Sequence, residues 1–314
     1  MKTKAQVLFL LLSFFIGVTP AIAHQPTARI VKANGIRLFT QSIGKKGPAI
    51  IVLHGGPGLG HDYLLPQFEA LADHAQVIFY DQRSAGRSTG EMTPKIMNLE
   101  TFAKDLEAIR KAYDLDSFFL VGHSWGSLVA MQYATQYPDK LAGVVFVSSA
   151  ALCSEETMSC YKELMSKGMA PYQKEIDSIQ RSPEYAQRDP ATLERFCRVW
   201  YRPCVYNPEH VNNITIFFTP DSIQKYLDST DISQKHFWQN YNVTALLHNI
   251  ACPVLAIHGD NDPWYVKTAE TICDTIEQAE LVTIENCGHL PFVEQPEAFF
   301  GALTDFIQKH HARL

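Results

Sequence analysis

Val121-Gly122-His123-Ser124-Trp125-Gly126 is the stretch that decides the fold of this chain. It follows an apolar run typical of a strand at residues 117–121, and it precedes a helical pattern at residues 128–137. A serine in a sharp strand-to-helix turn has a strained backbone, so the residues two positions away on either side must be glycine or very small. Gly122 and Gly126 meet that requirement, and the pattern predicts Ser124 as a nucleophile. The alternative is a glycine-rich turn without a chemical role.

The composition is that of a soluble globular protein. The 314 residues are 46% hydrophobic and 19% charged, with a net charge of −6. A mildly acidic chain gives no reason to expect nucleic acid or an anionic membrane as partner. The length suits one large domain or two small ones.

The N-terminus has the pattern of a secretory signal peptide. Lys2 and Lys4 precede an uncharged apolar run at residues 7–18, and Ala21-Ile22-Ala23 is typical of a cleavage site. The alternative is an uncleaved anchor, but the apolar run is short for a bilayer span. We therefore expect residues 1–23 to be removed, a periplasmic or secreted protein, and no stable membrane insertion after cleavage.

The rest of the chain alternates between strands and helices. Runs typical of strands occupy residues 29–32, 36–42, 49–53, 76–80, 117–121, 141–148, 253–258 and 281–284. Helical patterns occupy residues 64–72, 99–113, 128–137, 266–276 and 296–310. This alternation predicts an α/β fold, with a mostly parallel central sheet covered by helices on both faces.

The alternation stops after residue 150. Residues 151–236 are helical in pattern, rich in charged and aromatic side chains, and interrupted by prolines. We predict that this segment is a helical cap inserted into a core formed by residues 24–150 and 237–314. Such a cap would cover the carboxyl edge of the sheet, where ligands of open α/β sheets bind.

A serine hydroxyl needs a base before it can attack, because the neutral hydroxyl is a poor nucleophile. His289 is the candidate, since it follows Gly288 in a loop just past the last predicted strand. Asp262, in the turn after the preceding strand, is the candidate third member, with Asp260 as the alternative. The chain order Ser, Asp, His is that of the α/β-hydrolases.

An oxyanion hole requires two converging N–H donors. The backbone of Trp125, directly after the nucleophile, should supply one donor. The other should come from His54-Gly55-Gly56-Pro57-Gly58, after the third strand, with Gly56 preferred and Gly55 second. Each such donor lowers a barrier by about 3 kcal/mol.

Seven cysteines in an exported protein suggest pairing. We hypothesise a Cys273–Cys287 bridge and a free thiol at Cys252, which precedes a buried strand. No Cys-x-x-Cys occurs, so the cysteines predict no metal site.

Three motifs resemble the proline iminopeptidase (prolyl aminopeptidase) family of α/β-hydrolases. They are His54-Gly55-Gly56-Pro57-Gly58, Asp81-Gln82-Arg83-Ser84-Ala85-Gly86-Arg87-Ser88 and Gly122-His123-Ser124-Trp125-Gly126. The resemblance covers about residues 28–150 and 250–310.

The resemblance implies an α/β-hydrolase fold and release of an N-terminal residue, typically proline, from a small peptide, without metal or cofactor. It implies that Ser124, Asp262 and His289 are the catalytic triad. It also implies that Gly56 and Trp125 form the oxyanion hole.

The chain departs from the family pattern in two places. Ser84 stands where the family usually has glycine. The family binds the substrate amine with cap glutamates, one often beside a tryptophan, whereas Trp200 has Arg198 and Arg202 nearby and no adjacent glutamate. The possible amine ligands in the cap are Glu163, Glu194 and Glu209. The two arginines could instead receive a carboxylate.

The motifs leave three functions open. The first is an exported serine aminopeptidase selective for proline or another small N-terminal residue. The second is a carboxylesterase or other ester or amide hydrolase with the same triad. The third is a non-catalytic ligand-binding protein built on a hydrolase scaffold, which would have no need for the complete triad.

Overall fold

One eight-stranded sheet forms the centre of the molecule. The computed structural model describes residues 25–264 and 266–311, so the predicted signal peptide lies outside the described residues. The strands are β1 (Thr27–Ala33), β2 (Ile36–Ile43), β3 (Ala49–Leu53), β4 (Gln76–Tyr80), β5 (Phe118–His123), β6 (Leu141–Val147), β7 (Val254–Gly259) and β8 (Ala279–Ile284). All eight predicted strands are present, with ends that differ from the prediction by at most two residues.

The sheet is mostly parallel. Its strand order is β1-β2-β4-β3-β5-β6-β7-β8, and only the pairings β1–β2 and β2–β4 are antiparallel. Every residue of β5, β6 and β7 is buried. This explains their continuous apolar sequences, because a strand covered on both faces has no solvent side for polar residues.

Helices cover both faces of the sheet. They are α1 (Leu65–Phe68), α2 (Leu99–Ala112), α3 (Trp125–Gln136), α4 (Ser154–Glu163), α5 (Gln173–Gln180), α6 (Pro183–Ala186), α7 (Pro190–Tyr201), α8 (Pro220–His236), α9 (Val266–Thr275), α10 (Pro291–Glu294) and α11 (Pro296–His311). Alternate residues of β3 belong to different cores: Ile51 and Leu53 pack with α2 and α3, whereas Ile50 and Val52 pack with α1 and α11. The helix predicted over residues 64–72 is instead short α1 followed by a 3₁₀ turn.

Helices α4 to α8 follow β6 and precede β7 in the chain, within the segment predicted to be the cap. Pro183, Pro190 and Pro220 each occupy the first position of a helix. Proline is favoured there because its missing N–H would have no partner in the first turn. These three prolines therefore begin helices. The cap also has a small apolar core of its own, which includes Leu164 and Ile176.

The cysteines do not pair. All seven are free thiols in the structure, so the predicted Cys273–Cys287 bridge is wrong. Cys287 is buried beside the last strand, and Cys273 lies half-buried on α9. Separately, no helix within residues 25–264 and 266–311 is long and apolar enough to cross a membrane.

Gly143 in the middle of β6 lets α11 approach the sheet. A β-carbon at this position would lie 2.9 Å from two atoms of the buried Phe306 ring. We expect Gly143→Ala to lower the free energy of unfolding by about 1–3 kcal/mol, because a packed core relaxes poorly around added volume. Urea denaturation measures the loss.

The matched control is Gly301→Ala on α11, where an added β-carbon would meet nothing within 4 Å. Alanine there should be neutral or stabilising by up to about 1 kcal/mol, because it favours the helix. Equal effects of the two substitutions would contradict the packing argument.

Candidate active site

The turn at Ser124 is held by contacts that only glycine permits. Ser124 has φ 54° and ψ −120°, and it joins β5 directly to α3. A β-carbon on Gly122 would lie 2.5 Å from the carbonyl oxygen of Gly126, and one on Gly126 would lie 2.7 Å from the carbonyl oxygen of Leu53. The strand, the helix and the neighbouring strand β3 therefore meet through backbone alone at this turn.

Ser124 lines a cavity of about 400 Å³ between the cap and the sheet edge. His289 and Gly56 line the same cavity. Seven aromatic side chains line it: Tyr161, Phe196, Trp200, Tyr201, Tyr226, Trp238 and Trp264. Within the described part of the chain, no Asp, Glu, Lys or Arg side chain lines it. The cavity therefore offers an apolar, uncharged environment to a ligand.

Asp262 is the carboxylate that contacts His289. Its Oδ2 lies 2.9 Å from His289 Nδ1, and its Oδ1 accepts a hydrogen bond of 3.0 Å from the backbone N–H of Trp264. Asp260 is exposed and accepts instead from the backbone N–H of Cys287. Of the two carboxylates that the sequence offers, the structure brings Asp262 to the histidine.

The surroundings of Asp262 favour its ionised form. Burial by itself raises the pKa of this carboxyl. The charge and hydrogen bond of His289 outweigh that effect, with a smaller contribution from His258, and the pKa falls to about 2. His258 Nε2 lies 3.7 Å from Asp262 Oδ2. The carboxylate can therefore fix the orientation of the imidazole and stabilise a positive charge on it.

Residues 286–292, the histidine loop, are held by a buried carboxylate. The Glu294 side chain accepts hydrogen bonds from the backbone N–H groups of Gly288 and Leu290, at 3.0–3.1 Å. It also accepts a bond of 2.7 Å from the backbone of Tyr206 in the cap. Glu294 therefore fixes the backbone on both sides of His289 and connects the histidine loop to the cap.

Residues 54–58, the glycine loop, lie beside Ser124. The N–H of Gly55 donates to Tyr63 Oη at 2.7 Å, so this donor is already used. Gly56 lines the cavity. The backbone N–H of Trp125 lies in the first turn of α3, where helical N–H groups have no partner inside the helix. Of the predicted donors, Gly55 is therefore engaged, whereas Gly56 lines the cavity and Trp125 begins the helix.

The Asp81-Gln82-Arg83 motif supports the glycine loop, a role that sequence reasoning missed. The side chain of Gln82 donates to the carbonyl oxygen of His54 at 2.7 Å, and its backbone N–H donates to His54 Nε2 at 2.9 Å. Gln82 Oε1 also accepts from the indole N–H of Trp125 at 3.0 Å. The motif itself was visible in the sequence. The residues that Gln82 contacts, however, lie elsewhere in the chain, after β3 and at the start of α3.

Ser84 has φ 54°, a conformation that favours glycine. Its carbonyl oxygen accepts a hydrogen bond of 3.2 Å from Ser229 on α8. The position at which the chain departs from the family pattern thus contacts the cap.

The charged cap residues named from the sequence lie elsewhere. None of Glu163, Glu194 and Glu209 lines the cavity. Arg198 donates to the backbone carbonyls of Val211 and Ile214, and Arg202 pairs with Glu175. Both arginines therefore have partners within the cap.

Two thiols lie in the cavity wall but are poorly suited to attack. Burial raises the pKa of both Cys197 and Cys204 to about 12. The thiolate is the reactive form of cysteine, so these groups are inert near neutral pH. Among the described residues, no group of three or more His, Cys, Asp or Glu side chains could hold a metal ion.

Comparison with known proteins supports the fold described above. A family model described as alpha/beta hydrolase fold matches residues 48–198. The chain is 27% identical over 288 residues to a proline iminopeptidase of Heyndrickxia coagulans, which covers 90% of this chain and 98% of that protein. The predicted resemblance to the proline iminopeptidase family is confirmed.

Two solved structures extend the comparison. A proline iminopeptidase of Mycobacterium smegmatis superimposes with a TM-score of 0.65 at 23% identity, covering 91% of this chain and 99% of the other. A thermophilic esterase of Thermogutta terrifontis superimposes with a TM-score of 0.63 at 26% identity, with the same coverage. The predicted α/β-hydrolase fold is confirmed.

The low pKa of Asp262 predicts a pH-dependent stability. Its ionised form stabilises the folded state fully above the ordinary carboxyl pKa near 4, and this stabilisation is lost as pH falls towards 2. Between pH 5 and pH 2, the free energy of unfolding should fall by about 2 kcal/mol more in the wild type than in Asp262→Asn. Urea unfolding at several pH values measures it, and parallel curves for variant and wild type would contradict the assignment.

Proposed function

We propose that this chain, which has the α/β-hydrolase fold, is a serine hydrolase of the proline iminopeptidase type. It releases an N-terminal proline or other small residue from peptides. The observation that carries this proposal is the placement of Ser124, Gly56 and the His289–Asp262 pair at one cavity. The similarity to proline iminopeptidases along most of the chain supports the choice of substrate.

In the proposed mechanism His289 takes the hydroxyl proton of Ser124 while the oxygen attacks the substrate carbonyl. The N–H groups of Gly56 and Trp125 stabilise the oxyanion, and Asp262 stabilises the imidazolium. The imidazolium then protonates the leaving amine, which departs and leaves an ester on Ser124. Water, activated by His289, hydrolyses that ester.

The proposed nucleophile predicts a covalent label. A fluorophosphonate probe should react with Ser124, and the protein should hydrolyse proline naphthylamide, because the neighbouring base activates the hydroxyl. Ser124→Ala should abolish labelling and lower turnover by at least about 10³-fold. Mass spectrometry and a fluorescence assay measure these effects.

Ser166→Ala is the matched control, because Ser166 is an exposed serine in the cap. It should label as the wild type does. A wild-type protein that does not react with the probe would favour the non-catalytic binding protein.

A second candidate function, that of a carboxylesterase, is supported by the uncharged cavity. A free N-terminal substrate carries an ammonium group, and moving it from water into an apolar site without a counter-charge is costly. Within the described part of the chain, the cavity wall supplies no carboxylate to offset that cost. A neutral ester of a short acyl group has no such penalty, so the same triad would hydrolyse it more readily.

Gln234→Glu tests this second candidate. Gln234 lines the cavity from α8 and is exposed, and glutamate has nearly its shape. If the missing charge limits aminopeptidase activity, the variant should lower KM for proline naphthylamide about two- to fivefold, the range of a partly solvated ion pair. Turnover of a neutral nitrophenyl ester should stay unchanged.

The outcome for the wild type separates the two functions. A wild-type kcat/KM for short nitrophenyl esters far above that for aminoacyl amides favours the esterase. The reverse order, with no effect of Gln234→Glu, favours the aminopeptidase.

The protein is further proposed to be exported, to the periplasm or outside the cell. The support is the sequence pattern of residues 1–23. The mass of the protein recovered from the exported fraction would show whether its N-terminus follows Ala23, and an intact N-terminus on cytoplasmic protein would contradict export.

A further inference from the structure

A buried chain of hydrogen bonds joins the glycine loop to the histidine loop. The backbone N–H of Gly55 lies 2.7 Å from Tyr63 Oη, and Tyr63 Oη lies 2.7 Å from His123 Nδ1. His123 Nε2 lies 2.9 Å from the backbone carbonyl oxygen of His289. Tyr63 and His123 are buried side chains, and neither lines the cavity.

The direction of this chain follows from what each atom can do. The carbonyl oxygen of His289 can only accept, so His123 Nε2 must carry the proton. Burial first, and the charge of His289 second, lower the pKa of His123 to about 3, so its ring is neutral and its Nδ1 is a bare acceptor. The Tyr63 hydroxyl must therefore donate to Nδ1, and its oxygen receives the N–H of Gly55.

The residues that form this chain of hydrogen bonds are closely packed. A β-carbon on Gly55 would lie 3.2 Å from His123 Nδ1, from Tyr63 Oη and from the β-carbon of Ser124. The His123 and His289 rings have centroids 5.0 Å apart. A shift of either loop would therefore displace the other, because these two side chains connect them.

We propose that Tyr63 and His123 are positioning residues that hold the oxyanion-binding loop and the loop of the general base in one fixed relation. They act through Gly55 and through the backbone of His289, and they do not contact the substrate. The proposal rests on the proposed function for its effect on turnover, but the structural coupling of the two loops does not require that function.

Tyr63→Phe is the sharpest variant, because it keeps the ring and removes only the hydroxyl. It leaves the N–H of Gly55 and His123 Nδ1 without their partners. His123→Leu removes the link to His289. His123→Gln is the conservative rescue, since its amide N–H can still donate to the carbonyl and its oxygen can accept from Tyr63.

The first measurement is turnover per active site, with the sites counted by fluorophosphonate titration and a nitrophenyl ester as substrate. For Tyr63→Phe and His123→Leu we expect kcat to fall on the order of tenfold, the effect of leaving buried polar groups unpaired, with KM within about twofold. His123→Gln should recover most of the loss.

The matched control is Tyr113→Phe, which removes a partly buried hydroxyl at the end of α2 that is bonded to Thr40 of β2 at 2.8 Å, away from both loops. It should leave kcat per titrated site unchanged. If Tyr63→Phe behaves like this control, with lower stability but normal kcat, the positioning role is overturned.

The second measurement needs no activity. Hydrogen exchange followed by mass spectrometry should show that Tyr63→Phe speeds exchange in residues 286–292, and that His123→Leu speeds it in residues 54–58, each on the order of tenfold. Unchanged exchange in the remote loop overturns the coupling. If the wild type does not react with the fluorophosphonate, only the proposed function is overturned. The exchange experiment then decides whether the two loops are coupled.

Discussion

The close backbone contact among Gly122, Gly126 and Leu53 is the constraint on which the rest of the structure depends. It lets β5 turn into α3 within one residue, so that Ser124 takes a positive φ and projects above the sheet. A β-carbon on Gly126 would also lie 2.9 Å from the carbonyl oxygen of His54. The same contact therefore places the loop after β3 beside the serine. One packing requirement thus places both the proposed nucleophile and the proposed oxyanion donors.

The other half of the site is built by the same kind of contact at the last two strands of the sheet, β7 and β8. A β-carbon on Gly259, the last residue of β7, would lie 2.3 Å from the carbonyl oxygens of Cys287 and Gly288. The turn that carries Asp262 and the loop that carries His289 therefore touch through backbone. Parallel strands end at one edge, so residues distant in sequence meet there without long connecting loops.

The sequence was informative wherever structure depends on local pattern. The strands follow from apolar runs, and the proposed triad members follow from motifs at strand ends. Other features depend on the path of the chain in space. The spacing of Cys273 and Cys287 carried no information about whether their β-carbons face each other, which a disulfide requires. The roles of Gln82 and Glu294 as hydrogen-bond partners of distant backbone groups have no local signature. The cap was recognisable as helical, but which of its side chains face the cavity was not.

The uncharged cavity has a consequence for chemistry as well as for selectivity. Charges interact more strongly where water is excluded, so an oxyanion beside the N–H groups of Gly56 and Trp125 gains more here than in an open cleft. A cap carboxylate placed to bind an ammonium group would also repel that developing negative charge. An aromatic wall avoids this repulsion and still buries apolar substrate surface. In the proposed reaction, the lack of a carboxylate among the described residues of the cavity thus makes binding of a free amine costly and also spares the oxyanion that repulsion. Under the proposed function, the cap therefore sets the balance between aminopeptidase and esterase activity, and the loops at the sheet edge carry out the reaction.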